Sequence, residues 1–284
     1  MQRWQTILAY LGMFLAGGAV IPVGAAVELL SGLDFGRVEA REVRIYVPDK
    51  VTASTPVLVA LDGQNMEAWR LEAALAHLKA QGRRVPLVIA IPSGRDRVEE
   101  YGLAGVLDYA GRGRQAVDFQ RFVTKAVLPA VRARYGILAD PKRTGIMGSS
   151  LGGLAAFDLA WRHPEVFGFA GVFSGSFWWR GEDGSAAVRQ SSRLAHRQVR
   201  AAAPRTADQR WWFSVGTKEE TDDRDGNGVI DAVQDTSDLV GELESKGAER
   251  GRNLHYVLVE GGEHHETAWA DLLPGFLAWA LSRD

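Results

Sequence analysis

Ser150 stands at the centre of Gly148-Ser149-Ser150-Leu151-Gly152, between the apolar run 143–147 (RTGIM) and the helix-like stretch 154–164 (LAAFDLAWRHP). A G-x-S-x-G pentapeptide in that setting suits a nucleophile. Glycines two before and two after the serine let the backbone turn sharply from strand to helix while one side chain stays at the apex. The hydroxyl then lies at a helix N-terminus, where free N–H groups and the helix dipole favour a bound anionic oxygen. The pentapeptide alone is a weak signal in a glycine-rich chain, and the plain alternative is a Gly/Ser turn that only tightens a connection. The strand–turn–helix context favours the nucleophile. Ser149 lacks the frame, having Met147 two before it and Leu151 two after.

A serine hydroxyl is a poor nucleophile until a base takes its proton. The chain has six histidines. His77 sits mid-helix and precedes the turn. His163 stands just before Pro164, where it caps the end of a helix. His196 falls in a polar, basic helix and is expected to be solvated. His255 lies within a strand pattern. His264 and His265 lie in a glycine-opened loop, 261–269 (GGEHHETAW), after the last strand, which respects the order serine, acid, histidine. Spacing does not choose between the two neighbours. The acid should follow the strand 211–216 (WWFSVG), where Glu219, Glu220, Asp222 and Asp223 all qualify. Those nearest the strand end are favoured, because sites of open α/β sheets lie outside the carboxyl ends of the strands.

Asp223-Arg224-Asp225-Gly226-Asn227-Gly228-Val229-Ile230-Asp231 has the oxygen-ligand spacing of an EF-hand-type loop, with Asp223, Asp225, Asn227 and Asp231 as candidate ligands and Gly228 at the sharp turn. Position twelve is Gln234 instead of a bidentate Glu, and a strand leads in where a helix should. A structural Ca2+ and a bare acidic turn are equally good expectations here. Such an ion would brace the loop; the chemistry itself requires no cofactor.

Trp178, Trp179 and Arg97 fall in loops on the same edge as Ser150, together with Arg95 and Tyr101. Aromatic rings and a guanidinium would suit an aromatic or anionic acyl group. The alternative is that the tryptophans pack the loop and the arginines pair with Glu99 and Glu100.

Strands and helices must alternate to place these residues. Residues 39–48 alternate polar and apolar as a half-buried strand does, whereas 56–63 and 85–94 are continuous apolar runs suited to strands covered on both faces. Between them, 66–82 has helical spacing closed by Gly82, and 114–136 is a second helix that Pro129 should kink or break. Seven further segments, four strands and three helices, run to residue 281. Parallel β-α units with helices on both faces follow. No repeat or linker divides the chain, so residues 27–284 read as one domain.

The chain is 284 residues long with a formal net charge of -2, so nothing draws it to nucleic acid or to an anionic membrane. It has no cysteine, which excludes disulfides, thiolate metal sites and a cysteine nucleophile. Residues 7–26 carry no charge, follow Arg3 and end in Val23-Gly24-Ala25-Ala26. Residues 1–26 are therefore expected to be a signal peptide for export to the periplasm or medium, with a membrane anchor if uncut and no stable membrane partner once removed.

Three stretches together, Gly148-Ser149-Ser150-Leu151-Gly152-Gly153, Leu61-Asp62-Gly63-Gln64-Asn65 and Gly262-Glu263-His264, resemble the Putative esterase family of α/β-hydrolases, which includes enterochelin esterase-like enzymes, esterase D, feruloyl esterases and the antigen 85 mycolyltransferases. The resemblance runs from about Arg41 to the C-terminus. It implies an α/β-hydrolase fold, Ser150 as nucleophile, His264 as base and Glu219, just beyond Gly216-Thr217, as acid, with Asp222 next in line. It also implies the backbone N–H groups of Gln64 and Leu151 as oxyanion donors. A serine carboxylesterase acting on a small-molecule ester through an acyl-enzyme is the expectation. An acyltransferase to a sugar or lipid alcohol and a non-catalytic binding protein are its rivals.

Overall fold

The computed structural model of the protein describes residues 3–7, 26–33, 35–204 and 208–282. Its strands are β1 (Arg3–Ile7), β2 (Ala26–Ser31), β3 (Val43–Val47), β4 (Val57–Leu61), β5 (Leu87–Ile91), β6 (Thr144–Ser149), β7 (Phe169–Phe173), β8 (Arg210–Gly216) and β9 (Leu254–Val259). Its α-helices are α1 (Leu71–Ala80), α2 (Arg97–Glu100), α3 (Ala116–Arg121), α4 (Leu128–Tyr135), α5 (Leu151–Arg162), α6 (Ala186–Ser191), α7 (Leu194–Ala201), α8 (Asp231–Ser245) and α9 (Glu266–Ala280).

The strands form one sheet in the order β1-β2-β3-β5-β4-β6-β7-β8-β9. The first three pairings, β1–β2, β2–β3 and β3–β5, are antiparallel, and every pairing from β5 to β9 is parallel. This is the mostly parallel α/β sheet that the alternating pattern predicts. Arg3–Ile7 falls inside the expected signal peptide; residues 8–25 of that segment lie outside the described residues. Among the described residues no helix is long and apolar enough to cross a membrane.

The continuous apolar runs are explained by burial on both faces. Val57, Val59 and Leu61 of β4 enter one core with α5 and α8, while Leu58 and Ala60 enter the other with α1 and α9. Alternate side chains of a strand point to opposite faces, so a strand covered twice must be apolar throughout.

Two local expectations need correction. The helix 114–136 is neither broken nor simply kinked at Pro129: α3 runs through a π-type turn, Phe122–Val127, into α4. Proline cannot donate to the carbonyl four residues back and its ring crowds that carbonyl, and a widened turn just before it relieves both. His196 is not solvated but 1% exposed. Ala195, His196 and Val199 of α7 share its buried face, leaving Arg197 and Arg200 outside.

Candidate active site

The strand order lays out the site. β4, β6, β7, β8 and β9 are successive parallel neighbours, so their carboxyl ends form one edge. Gln64 follows β4, Ser150 follows β6, Ser174 and Ser176 follow β7, Glu219 follows β8 and His264 follows β9. At about 4.8 Å per strand, β9 lies some three steps, or about 14 Å, from β6, too far for a histidine rising straight from its strand. The chain turns back. After β9 it crosses the sheet edge and α9 packs along α1, with Trp69 and Trp269 ring centroids 5.7 Å apart and Arg70 donating to Asp271 at 3.1 Å. At the start of that crossing Asn65 Nδ2 donates to Glu266 Oε1 at 3.3 Å.

Ser150 occupies the turn between β6 and α5 with φ 55° and ψ −125°. A non-glycine residue there is strained by about 1–3 kcal/mol and persists only where its surroundings fix it. Its N–H donates to Phe173 O at 3.0 Å and its carbonyl accepts from Ser176 N at 3.0 Å. The glycine frame is a matter of space. A Cβ on Gly148 would stand 2.4 Å from Gly152 O, and one on Gly152 would stand 2.6 Å from Asp62 Oδ2. The Ser150 and Ser176 hydroxyl oxygens are 3.4 Å apart.

Leu151 opens α5 and Gln64 lies in the short 3-10 turn Gly63–Asn65. N–H groups in the first turn of a helix have no acceptor within it. Among the described residues neither N–H has a hydrogen-bond acceptor elsewhere in the chain.

Arg97 is not placed as a free substrate ligand. It is bound to the buried Asp62, with Nε to Oδ1 and Nη2 to Oδ2 both 2.7 Å, and Nη2 also reaches Ser149 O at 3.3 Å. Burial works against its charge, but the hydrogen bonds and charge of Asp62 outweigh it and hold the guanidinium above its ordinary pKa. One guanidinium thus ties the loop carrying Gln64, whose Asp62 has φ 53°, to the strand end carrying the serine.

His264 Nδ1 lies 2.9 Å from Glu219 Oε2; the Glu219 side chain is 3% exposed and that of His264 37%. The other oxygen, Oε1, accepts from Ser174 Oγ at 2.5 Å and Gly216 N at 2.6 Å. The neighbouring acids face elsewhere: Glu220 accepts from Ala232 N at 2.6 Å, and Asp223 from Gly226 N and Gly228 N at 2.8 Å each. His265 caps α9, its Nδ1 accepting from Thr267 N at 3.3 Å. A carboxylate held by two donors and facing Nδ1 can orient an imidazole with Nε2 as its basic nitrogen. Sequence reasoning passed over Asp62, Ser174, Ser176 and Trp269. The Ser174-Gly175-Ser176 stretch at a strand's carboxyl end was the available signal for two of them.

Trp179 is fully buried against Gly102 and Gly113, so it packs the loop and offers no ring to a substrate. Trp178 is half-buried beside Arg112, 5.3 Å from its ring, and the exposed Tyr109 lies under Arg180 at 4.5 Å. These four form an aromatic and cationic rim beside the strand ends.

In the loop where calcium and a bare acidic turn are equal expectations, the carboxylates are hydrogen-bonded within the loop. Asp223 and Asp225 accept from loop N–H groups, Asn227 Oδ1 accepts from Val229 N at 2.7 Å, and Asp231 takes the backbone N–H of Arg224 at 2.8 Å and lies 2.9 Å from its Nε. Arg224 also pairs with Asp235, so the loop's own guanidinium sits among its acids. Among the described residues no group of three or more His, Cys, Asp or Glu is arranged to hold a metal ion.

A mostly parallel sheet with a strained serine at a strand–helix turn, and an imidazole–carboxylate pair on loops that follow later strands of the same edge, is the architecture of an α/β-hydrolase. Residues 38–280 match the Putative esterase family, and the chain belongs to it; it is a hydrolytic enzyme of the esterase kind. It is 22% identical over 252 residues to the uncharacterized protein YbbA of Bacillus subtilis, covering 86% of this chain and 94% of that one. It is 31% identical over 159 residues to the iron(III) salmochelin esterase of Escherichia coli O6:H1, covering 55% of this chain and 37% of that protein. The enterobactin esterase FES of Shigella flexneri, solved with enterobactin, superposes with a TM-score of 0.66 at 22% identity, covering 86% of this chain and 56% of that one. The chain thus spans just over half of the Shigella enzyme and little more than a third of the salmochelin esterase.

Proposed function

We propose that the protein hydrolyses small carboxylic esters through a Ser150–His264–Glu219 triad and an acyl-enzyme. Ser150 Oγ attacks the ester carbonyl while His264 Nε2 takes its proton. Glu219 holds the Nδ1 proton and balances the imidazolium. The carbonyl oxygen, now anionic, is received by the N–H groups of Gln64 and Leu151, an arrangement worth several kcal/mol to the transition state. Collapse passes the proton from Nε2 to the leaving alcohol, and a water molecule activated by the same imidazole releases the acid. The observation that carries this reading is the contact of 2.9 Å between His264 Nδ1 and Glu219 Oε2, on loops that follow strands of the sheet edge where Ser150 stands. The rings of Tyr109 and Trp178 support an ester with an aromatic group; Arg112 and Arg180 beside them are paired with Asp108 and Asp183. The relatives named for enterobactin and salmochelin make such siderophore esters the first to assay.

The test is phosphonate labelling followed by mass spectrometry, with p-nitrophenyl acetate turnover measured on Ser150→Ala. Labelling should fall on Ser150 and the variant should lose activity by about 10³-fold or more. Labelling on another residue, or activity retained in the variant, would overturn the assignment.

A further inference from the structure

Trp269 lies five residues beyond His264, inside α9, and is 5% exposed. Two of its contacts reach the two partners of the proposed pair from different sides. Its ring stands edge-on to the His264 imidazole, with centroids 5.1 Å apart and planes at 86°. Its Nε1 donates to Ser174 Oγ at 2.8 Å, and that hydroxyl in turn donates to Glu219 Oε1 at 2.5 Å.

The direction of this chain is not free. Indole nitrogen can only donate, so Ser174 Oγ must be the acceptor of that bond. A serine hydroxyl has one proton, and the remaining direction is toward Glu219. Glu219 Oε1 therefore receives two donors, Ser174 and the Gly216 N–H, and carries no proton of its own. With Glu219 ionised, Oε2 faces His264 Nδ1 as an acceptor, which puts a proton on Nδ1 and leaves Nε2 as the lone-pair nitrogen. Ser174 is held for this task at φ 50°, a conformation costly for serine, with its N–H donating to Ser214 O at 2.7 Å. Trp269 is itself braced by Trp69, which packs edge-on to Phe173 at 4.9 Å.

We propose that Trp269 is a positioning residue that sets the tautomer of His264 through the chain Trp269–Ser174–Glu219 and limits rotation of the imidazole with its ring. The inference rests on the triad reading above and adds the residue that orients it. Trp269→Phe keeps a ring in the same packing and removes only the N–H. Its kcat should fall about five- to tenfold, the loss of one net hydrogen bond, with KM within about twofold. The acid limb of its pH–rate profile should move to lower pH, since an imidazole with a less firmly held carboxylate loses its proton more readily. Ser174→Ala should act in the same direction, and the double variant should be no worse than Ser174→Ala, because the indole acts through that hydroxyl.

Proton NMR of the wild-type enzyme should show a low-field imidazole Nδ1 proton that moves upfield in Trp269→Phe. Its absence from the wild type would overturn the proposal even if neither variant folds. Wild-type turnover and pH profile in Trp269→Phe, or strict additivity in the double variant, would also overturn it. Ser150→Ala separates the two levels. If that variant keeps wild-type turnover, the triad reading itself fails; if it is inactive while Trp269→Phe is unchanged, only this inference fails.

Discussion

Asn65 and Glu266 are 201 residues apart in the chain and hydrogen-bonded at 3.3 Å. The first belongs to the loop of the proposed oxyanion donor Gln64, the second to the helix start that follows His264. Their bond joins the loop after β4 to the start of α9 across the carboxyl edge of the sheet. Charge tests it directly. Asn65→Asp sets two carboxylates against each other and should lower kcat about tenfold, because small misplacements of catalytic groups cost rate steeply. Adding Glu266→Gln restores a donor and should recover most of the loss. If the double variant is as slow as the single one, the bond is not what holds the loops together.

Glu219 and Asp222 make different predictions. Glu219→Gln should lower kcat by about 10²-fold or more, because an amide can neither balance the imidazolium nor insist on the Nδ1 proton. Asp222→Asn should leave turnover near wild type. Steady-state kinetics on the two variants decide between them, and a reversed pattern would reassign the acid.

Removing Arg97 strands a buried carboxylate. Asp62 is 2% exposed and its side chain is held by that guanidinium. Arg97→Ala should cost about 2–4 kcal/mol of stability, reduced from a fully buried pair because the arginine is partly exposed. It should also slow turnover by loosening the Gln64 loop. Urea denaturation and kinetics measure the two effects. A variant as stable and as fast as wild type would remove Arg97 from the positioning scheme.

The acidic loop is expected to be indifferent to calcium, because Arg224 already sits among its carboxylates. Melting curves with calcium and with excess chelator should coincide, since an ion bound only to the folded state would raise the melting temperature with concentration. Arg224→Ala, in contrast, should cost about 3 kcal/mol by leaving Asp235 buried with one partner fewer. A calcium-dependent melting temperature in the wild type would restore the metal.

His196 makes stability depend on pH. Burial, and then the charge of Arg193, lower its pKa to about 3. The unfolded chain binds the proton near pH 6.5, so stability is lost as pH falls from there toward 3, at up to about 1.4 kcal/mol per unit. At pH 5 the loss is about 2 kcal/mol. His196→Gln should flatten the stability curve between pH 7 and pH 5 in urea titrations; an unchanged slope would exclude His196 as its source.

Some misreadings share one cause. His196 reads as solvated from its polar helix and Trp179 as either facing a substrate or packing its loop, yet both are buried by segments distant in sequence. For His196 the i, i+3, i+4 positions of Ala195, His196 and Val199 were a legible sign of a buried face, masked by the arginines between them. β2 is not legible as a strand, since residues 26–30 continue the apolar run of the expected signal peptide with only Glu28 to interrupt it.

What the sequence determined is local. Apolar runs without alternation require strands covered on both faces, and the glycines around Ser150 require a tight strand-to-helix turn, because these follow from sterics and burial within a few residues. Tertiary structure alone decided which histidine meets which acid. Neither His264 over His265 nor Glu219 over Asp222 follows from spacing by itself. The choice depends on α9 returning across the strand ends to pack on α1, a long-range burial that carries one imidazole toward Glu219 and leaves its neighbour as a helix cap.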